Sequence, residues 1–103
     1  MRTSVLALLL AAVAAGRTSA AEGPALFKQN CVPCHGPKGD GNTPVGKTLK
    51  VKDLGSAEVQ KLSDAQLADV VLKGRGKMPA FGARLAADDV KALVTVIRSL
   101  ARK

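Results

Sequence analysis

Large aromatic side chains are almost absent from this sequence, which has no tryptophan, no tyrosine and two phenylalanines, Phe27 and Phe81. A core made only of the chain's own side chains would therefore be thin for a small domain. The sequence has a single histidine, so one chain cannot bind a metal ion through two histidines. No apolar run reaches the roughly 20 residues that a membrane-spanning helix needs, and no alternation of period two indicates a sheet.

Residues 1–21 have the features of a secretory signal peptide in the expected order. A positive start at Arg2 is followed by a short apolar run and then by small side chains. We expect cleavage after Ala20 or Ala21, which would leave one small domain over residues 22–103. The sequence thus predicts a periplasmic or otherwise exported protein with no membrane span after cleavage. An uncleaved anchor is the alternative interpretation of this segment.

The chain is basic, with 16 lysines and arginines against 8 acidic residues and a formal net charge of +8. Of these cations, Arg2 and Arg17 would leave with the signal peptide. A basic balance can indicate nucleic-acid binding, but an exported protein rarely meets nucleic acid, so we expect none. An acidic protein partner or an anionic membrane surface fits better, and plain solubility is the alternative.

The residues after the signal predict an all-α fold of helices joined by glycine-rich loops. The first helix is expected to open near Pro24, a residue suited to a first turn, and to run to a bend or stop at Pro33. Residues 36–44 are predicted to form a loop by composition. A short helix is expected after Ser56.

Two further helices carry the clearest local signals. Ser63 and Gln66 are spaced as a capping box at the start of one, and Gly74 is placed to end it. The last helix is expected to open near Asp88, where the helix dipole favours acidic residues. It carries apolar residues at helical spacing, namely Val90, Leu93, Val94, Ile97 and Leu100.

The most specific chemical signal is the pentapeptide Cys31-Val32-Pro33-Cys34-His35, which has the C-x-x-C-H pattern of a c-type haem attachment site. Two thiols three positions apart can reach one edge of a flat macrocycle and bind it by thioethers, and the next side chain offers a ring nitrogen to the iron. One covalent haem c would also supply the apolar bulk that the core lacks. A disulfide or a thioredoxin-like redox pair is the alternative for the cysteines, but the adjacent histidine favours haem.

The second axial ligand of the iron is expected to be Met78. Apart from Met1 it is the only methionine, and it lies in a loop between Gly76 and Gly82, which give the backbone freedom to approach a ring closely. Pro79 favours extended backbone at Met78. Lysine, water or no ligand are the other possibilities for the sixth position, and core packing is the other role of such a methionine.

Three further residues are predicted to contact the haem or its ligand. The carbonyl of Pro44 is a candidate acceptor for the second ring N–H of His35, a contact that fixes the tautomer of a metal-binding histidine. The alternative for Pro44 is a plain turn residue. Phe27 and Leu49 are candidates for apolar contact with the macrocycle.

Together these residues resemble the class I mono-haem cytochromes c over about residues 23–100. The pattern Gly23-x-x-x-Phe27-x-x-x-Cys31 is similar to that family's N-terminal helix, and residues 74–81 are similar to its methionine loop. The resemblance implies a small fold in which the first and last helices cross and loops wrap one haem, with one haem edge exposed for electron exchange. Similar domains occur fused to terminal oxidases.

Two departures from that family's pattern lie in the last helix. Val96 stands where the family often has an aromatic residue, so the helix crossing is expected to pack less tightly. Ala86 and Ala87 precede the helix where a serine or threonine cap is common, so the cap is expected to be weak or displaced. Neither change involves the expected iron ligands.

These features predict a one-electron carrier of the cell envelope, which exchanges electrons between a quinol-oxidising membrane complex and an oxidase, a reductase or a reaction centre. With both axial positions filled, the iron offers no open site to a substrate, so no enzymatic activity is expected. A haem sensor or peroxidase-like domain with a labile sixth ligand, and a haem-free thiol redox module, are the alternatives. We expect some of the lysines near the haem-binding segments to steer acidic partners, with solvated surface lysines as the alternative for each. These lysines are Lys28, Lys38, Lys47 and Lys77.

Overall fold

Six helices make up the regular structure of residues 22–102, the part of the chain that this computed structural model describes. Within that range there is no strand, and one isolated β-bridge joins Arg75 and Met78. The all-α class is thereby confirmed, whereas the predicted signal peptide lies outside the described residues. The helices are α1 (Gly23–Asn30), α2 (Val32–His35), α3 (Pro44–Leu49), α4 (Ala57–Gln60), α5 (Asp64–Lys73) and α6 (Ala87–Ser99).

The chain breaks between α1 and α2 at Cys31, not at Pro33 as the sequence suggested. Cys31 ends α1 and precedes α2, and its N–H still donates to the Phe27 carbonyl at 2.8 Å. Pro33 is the second residue of α2, where a helix needs no backbone donor. The proline therefore starts the second helix instead of ending the first.

Helices α1 and α6 cross in close contact at Gly23. A Cβ atom on Gly23 would lie 2.9 Å from the Ala92 carbonyl oxygen and 3.1 Å from Cγ2 of Val96, so only glycine fits without a shift. Val96 stands where the cytochromes c that the sequence resembles often have an aromatic residue. Its Cγ2 atom lies directly at the crossing. The predicted crossing of the first and last helices is confirmed.

Two buried clusters share the apolar stripe of α6. The first cluster joins α1, α5, α6 and the loop after α5, and the second joins α4, α5 and α6. The apolar stripe predicted for the last helix is therefore confirmed, and its residues contribute to both clusters. The members are Phe27, Val71, Phe81, Val90 and Leu93 in the first, and Val59, Leu67, Val94 and Ile97 in the second.

The helix caps follow the local signals, with one displacement. The Ser63 hydroxyl accepts from the Gln66 N–H at 3.0 Å, and the Gln66 side chain accepts from the Ser63 N–H at 2.9 Å, which confirms the capping box of α5. At α6 the N-cap is Ala86, which has no side chain to accept a bond. Asp89 instead accepts from the Ala86 N–H at 2.9 Å, so half of a capping box remains.

Helix α3 is an element that the sequence analysis did not predict, since it indicated a loop over residues 36–44 and no helix before Ser56. The start of α3 nevertheless has a readable signal, with Thr43 as N-cap and Pro44 as the first helical residue. The helix ends at Lys50, which adopts the left-handed conformation with φ of 56°. The loop prediction is correct only up to Thr43.

Arg98 ties α6 to the junction of α4 and α5. Its guanidinium donates to the Gln60 carbonyl at 2.8 Å and to the Leu62 carbonyl, and it pairs with Asp64 at 2.8 Å. The carbonyl of the last residue of α4 and a carbonyl of the turn that follows are thereby satisfied by one planar donor. None of the helices within residues 22–102 is long and apolar enough to cross a membrane.

We predict that Gly23→Ala destabilises the haem-loaded protein by about 1–3 kcal/mol, because the added methyl group overpacks the crossing of α1 and α6. The measurement is denaturant unfolding. Gln29→Ala, an exposed change in the same helix, serves as the control and should shift stability by no more than about 0.5 kcal/mol. Equal stabilities of the two variants would show that the crossing relaxes without cost.

Candidate haem site

The two cysteines lie on one helical turn with their thiols free. The His35 N–H donates to the Cys31 carbonyl at 2.8 Å, and the Cys34 N–H lies 3.1 Å from the same oxygen, so the whole motif is a single turn. Both cysteines are half-buried and neither forms a disulfide. Side chains three positions apart in a helical turn share one face. The turn therefore presents two thiols to one side, as two thioethers to one macrocycle require.

Burial affects the chemistry of Cys31 in a direction that disfavours thiol redox activity. Desolvation, with a smaller contribution from nearby Cys34, raises the pKa of the Cys31 thiol to about 11. Thioredoxin-like pairs depend on a cysteine whose pKa is lowered, because the thiolate is the nucleophile. Cys31 stays protonated at neutral pH, which does not support the thiol redox alternative.

His35 has its ring held in one orientation by a backbone carbonyl. The Nδ1 atom lies 3.1 Å from the carbonyl oxygen of Lys52, which can only accept, so Nδ1 carries the proton. The Nε2 lone pair is then available to a metal. Burial lowers the pKa of His35, with the Lys52 carbonyl acting in the opposite sense, so the ring is kept neutral as a metal ligand must be.

The acceptor for His35 is thus Lys52, and the prediction of Pro44 for this role is wrong. The Pro44 carbonyl accepts instead from the Thr48 hydroxyl at 3.0 Å, inside its own helix. The prediction failed because Pro44 begins a helix, so its carbonyl is directed along α3 toward the next turn. A backbone carbonyl 17 residues from the histidine has no signature in the sequence.

Thr43 and Gly46 pack α3 against the haem motif, and the sequence analysis missed both. The Thr43 hydroxyl donates to the Cys34 carbonyl at 2.8 Å and accepts from the Gly46 N–H at 2.8 Å. A Cβ atom on Gly46 would lie 2.4 Å from the Cys34 carbonyl oxygen, so a side chain cannot be accommodated there. A threonine directly before a proline is the N-cap signal that could have located this contact.

Met78 closes a tight turn with its backbone groups. The backbone groups of Arg75 and Met78 bond each other in both directions, at 3.1 and 2.9 Å, across Gly76 and Lys77. Gly76 has a φ of 57°, a conformation that glycine adopts without strain. Because both backbone polar groups of Met78 are satisfied locally, its thioether is the part of the residue available for other contacts.

The turn is fixed to α5 at the residues that flank it. The Phe81 N–H donates to the Val71 carbonyl at 2.9 Å, and the Gly82 N–H donates to the Leu72 carbonyl at 3.1 Å. A Cβ atom on Gly74 would lie 2.6 Å from the Met78 carbonyl oxygen, so the loop folds directly onto the end of the helix. The position of Met78 is therefore set by α5.

The fold brings Met78 to the cluster that also contacts Cys31. Both residues are half-buried and pack against the group that contains Phe27, although they lie far apart in the sequence. Pro44 and Leu49 line a different feature, an apolar cavity of about 270 Å³ on α3 that they share with Val45 and Thr48. Phe27 is thus in the cluster that Cys31 contacts, whereas Pro44 and Leu49 are not part of that cluster.

The donor set fits haem iron better than a bare metal ion. Within residues 22–102 no group of three or more histidine, cysteine or acidic side chains is placed to hold a metal. A haem brings four ring nitrogens of its own and needs only axial ligands from the protein. The neutral His35 ring and the two free thiols of the same turn are the groups that such a cofactor uses.

Comparison with known proteins also indicates a haem protein. Residues 18–96 match the family described as "Cytochrome C oxidase, cbb3-type, subunit III". The chain is 40% identical over 83 residues to cytochrome c6 of Microcystis aeruginosa, covering 80% of this chain and 98% of that protein. It is 35% identical over 104 residues to cytochrome c-555 of Methylococcus capsulatus, with coverage of 93% and 79%.

Two further similarities are to a subunit of a larger oxidase and to a solved structure. The chain is 39% identical over 85 residues to the cbb3-type cytochrome c oxidase subunit FixP of Bradyrhizobium diazoefficiens, but it spans 27% of that protein's length. A solved structure titled "KustC0563 c-type cytochrome" superposes with a TM-score of 0.69 at 36% identity, over 78% of this chain and 98% of that one. The chain therefore belongs to the cytochrome c family, as a small class I domain of the type whose members carry covalently attached haem c.

Proposed function

We propose that the protein is a one-electron carrier in which His35 and Met78 are the two axial ligands of a haem bound through Cys31 and Cys34. The observation that carries the proposal is the packing of Met78 and Cys31 against one buried cluster, from opposite halves of the sequence. The relatives named c6 and c-555 are cytochromes, which supports electron transfer as the activity. These names support the activity, whereas the pair of ligands, His35 and Met78, is proposed from the packing in the structure.

The chemistry that haem supplies is a reversible one-electron change of its iron. The protein's part is to choose the ligands and to exclude others. His35, held by the Lys52 carbonyl, presents Nε2 in a fixed orientation. The Met78 thioether is a soft donor that favours ferrous iron and so raises the reduction potential. With side chains on both faces, no position is left for a substrate, which favours a carrier over an enzyme.

Contacts around the macrocycle are proposed for three residues. Phe27, 4% exposed and packed in the cluster that Cys31 contacts, is placed to support the cysteine edge. Pro44 and Leu49 offer an apolar surface on α3, the helix that Thr43 ties to the haem motif. In this proposal Pro44 keeps a role as an apolar neighbour and not as a hydrogen-bond acceptor.

Acidic redox partners are proposed from the charge of the chain. Lys28, Lys38, Lys47 and Lys77 are exposed, and within residues 22–102 none of the four forms an ion pair. Unpaired surface cations accelerate encounters with an acidic protein far more than they strengthen the final complex. We also propose that residues 1–21 direct export and that the donor is a quinol-oxidising membrane complex, with an oxidase, reductase or reaction centre as acceptor.

We predict that Met78→Ala removes the near-infrared thioether-to-iron band of the oxidised protein and lowers its reduction potential by on the order of 0.1 V or more, since axial ligands move haem potentials over about 0.8 V. The variant should also bind azide or carbon monoxide, because the sixth position becomes open. Optical redox titration and ligand titration measure these changes. A wild-type protein that binds the same ligands as readily would instead indicate the sensor or peroxidase-like alternative.

Met78→His is the matched variant for the same site. It restores a strong sixth ligand, so ligand binding should again be blocked, but the thioether band should stay absent and the potential should stay low. Unchanged spectra in both variants would show that Met78 is core packing and not a ligand.

We predict that electron transfer to an acidic redox partner slows about tenfold when the ionic strength rises from about 0.01 to 0.2 M, because salt screens the steering charges. Stopped-flow kinetics with a physiological partner provides the measurement. Neutralising the exposed Lys38 or Lys77 by glutamine should reduce both the rate at low salt and its salt dependence. Rates indifferent to salt would leave the lysines with a role in solubility alone.

We predict that the protein recovered from the periplasm begins at Ala21 or Glu22, since small side chains precede both positions. Intact mass measurement of the secreted protein gives the cleavage site and, from the added mass, the covalent haem. Recovery of the full-length chain in the membrane fraction would indicate the uncleaved anchor.

A further inference from the structure

The Lys52 carbonyl, which accepts the His35 hydrogen bond, belongs to a short irregular segment between α3 and α4. A peptide group is planar, so the Lys52 carbonyl and the N and Cα atoms of Asp53 move as one rigid unit. Whatever holds Asp53 in place therefore also holds the acceptor of the axial histidine. This makes the surroundings of Asp53 relevant to the iron site.

Asp53 is held by the C-terminal end of the chain. Both terminal nitrogens of the Arg102 guanidinium bind the Asp53 carboxylate, one on each oxygen, with NH1 to Oδ1 at 2.9 Å. Such fork-to-fork pairing fixes geometry as well as charge. Oδ1 accepts in addition from the Gly55 N–H at 3.0 Å, so the carboxylate is bound to its own backbone as well.

The backbone of Arg102 adds a second attachment to the same segment. Its N–H donates to the Gly55 carbonyl at 3.0 Å. A Cβ atom on Gly55 would lie 2.4 Å from the Leu100 carbonyl oxygen and 2.7 Å from NH1 of Arg102, so the two stretches of chain are in direct contact. The residues that follow α6 are thus bound to the segment whose carbonyl contacts His35.

Three other backbone bonds hold the segment but do not involve the Lys52–Asp53 peptide, and in one of them the Asp53 carbonyl accepts from the Ser56 N–H at 3.1 Å. The Val51 N–H donates to the Gly46 carbonyl at 3.0 Å, and the Leu54 N–H donates to the Gly39 carbonyl at 2.7 Å. They fix the residues on either side. The Asp53 side chain adds a restraint on the peptide between them. The pKa of Asp53 is lowered mainly by its hydrogen bonds with Arg102, which favours the ionised and paired carboxylate.

We propose that Arg102 is a positioning residue for the axial histidine: by holding the Asp53 carboxylate it fixes the peptide whose carbonyl accepts the His35 Nδ1 proton. The inference rests on the proposed function, in which His35 is an iron ligand. It gives the C-terminal end of the chain a part in tuning the haem, because a stronger bond at Nδ1 makes the imidazole a better donor and stabilises ferric iron.

The test follows the His35 Nδ1 proton by NMR in the ferrous haem-loaded protein. Since the chain has a single histidine, labelling with ¹⁵N-histidine reports this residue alone. We expect Arg102→Gln to accelerate solvent exchange of the Nδ1 proton about fivefold, the scale of a surface ion pair, and to shift the reduction potential upward. The amide of Leu93, 1% exposed in the first cluster, should exchange as in the wild type.

Two further variants separate positioning from loss of charge. Asp53→Asn should have the effect of Arg102→Gln, and the double variant should be no worse than either single one, because the residues act through one contact. Lys73→Gln is the matched control, since it removes the same charge and breaks an exposed ion pair with Asp69 of 3.0 Å. It should leave the Nδ1 proton unchanged.

Three outcomes overturn the inference. Unchanged exchange in Arg102→Gln would show that the bonds at Val51 and Leu54 suffice to hold the carbonyl. Equal acceleration at His35 and Leu93 would show a general loss of stability instead of a local one. A wild-type spectrum without a haem-shifted Nδ1 resonance would refute ligation by His35, and with it both the proposed function and this inference.

Discussion

The absence of a side chain at Gly23 is the constraint on which the geometry of the site depends. Only glycine lets α1 approach the backbone of α6 at Ala92, and that contact fixes the rotation of α1 about its own axis. Phe27 and Cys31 come next at intervals of four residues, so they lie on the same face and reach the core that α6 completes. The direction in which the cysteine turn faces is therefore set by the helix crossing at Gly23, two helical turns earlier, although none of the proposed iron ligands lies at that crossing.

The candidate haem site is formed by both local and long-range contacts. The cysteine turn is a local structure, closed by bonds within one helical turn. The contacts that make it useful come from elsewhere: α3 through the hydroxyl of Thr43, the Met78 turn through α5, and the Lys52 carbonyl through the segment that Arg102 holds. With two phenylalanines as its only large aromatic residues, the chain makes a core that is thin in aromatic side chains, and a large flat cofactor would add to it. In this account the haem is a part of the core as much as a redox centre.

What the sequence could predict depended on how local each signal was. In the caps of α5, the stripe of α6 and the C-x-x-C-H turn, each residue lies within four positions of the next, and all three features were found in the structure. The sequence predicted the break between the first two helices at Pro33 instead of Cys31, because a proline gives the same signal whether it ends one helix or begins the next. Helix α3 was missed although Thr43 and Pro44 mark its start. The Lys52 carbonyl could not have been found, since a backbone acceptor has no residue type and its place depends on contacts from Gly39, Gly46 and Arg102.

We propose that one haem is bound covalently through Cys31 and Cys34 and carries one electron at a time. The most direct measurement is an optical redox titration of the exported protein, with denaturation and thiol counting on the same sample. We expect a single one-electron transition, a visible chromophore that stays with the chain in denaturant, and no reactive thiol. A colourless chain with two reactive thiols, or a chromophore released by denaturant, would contradict it.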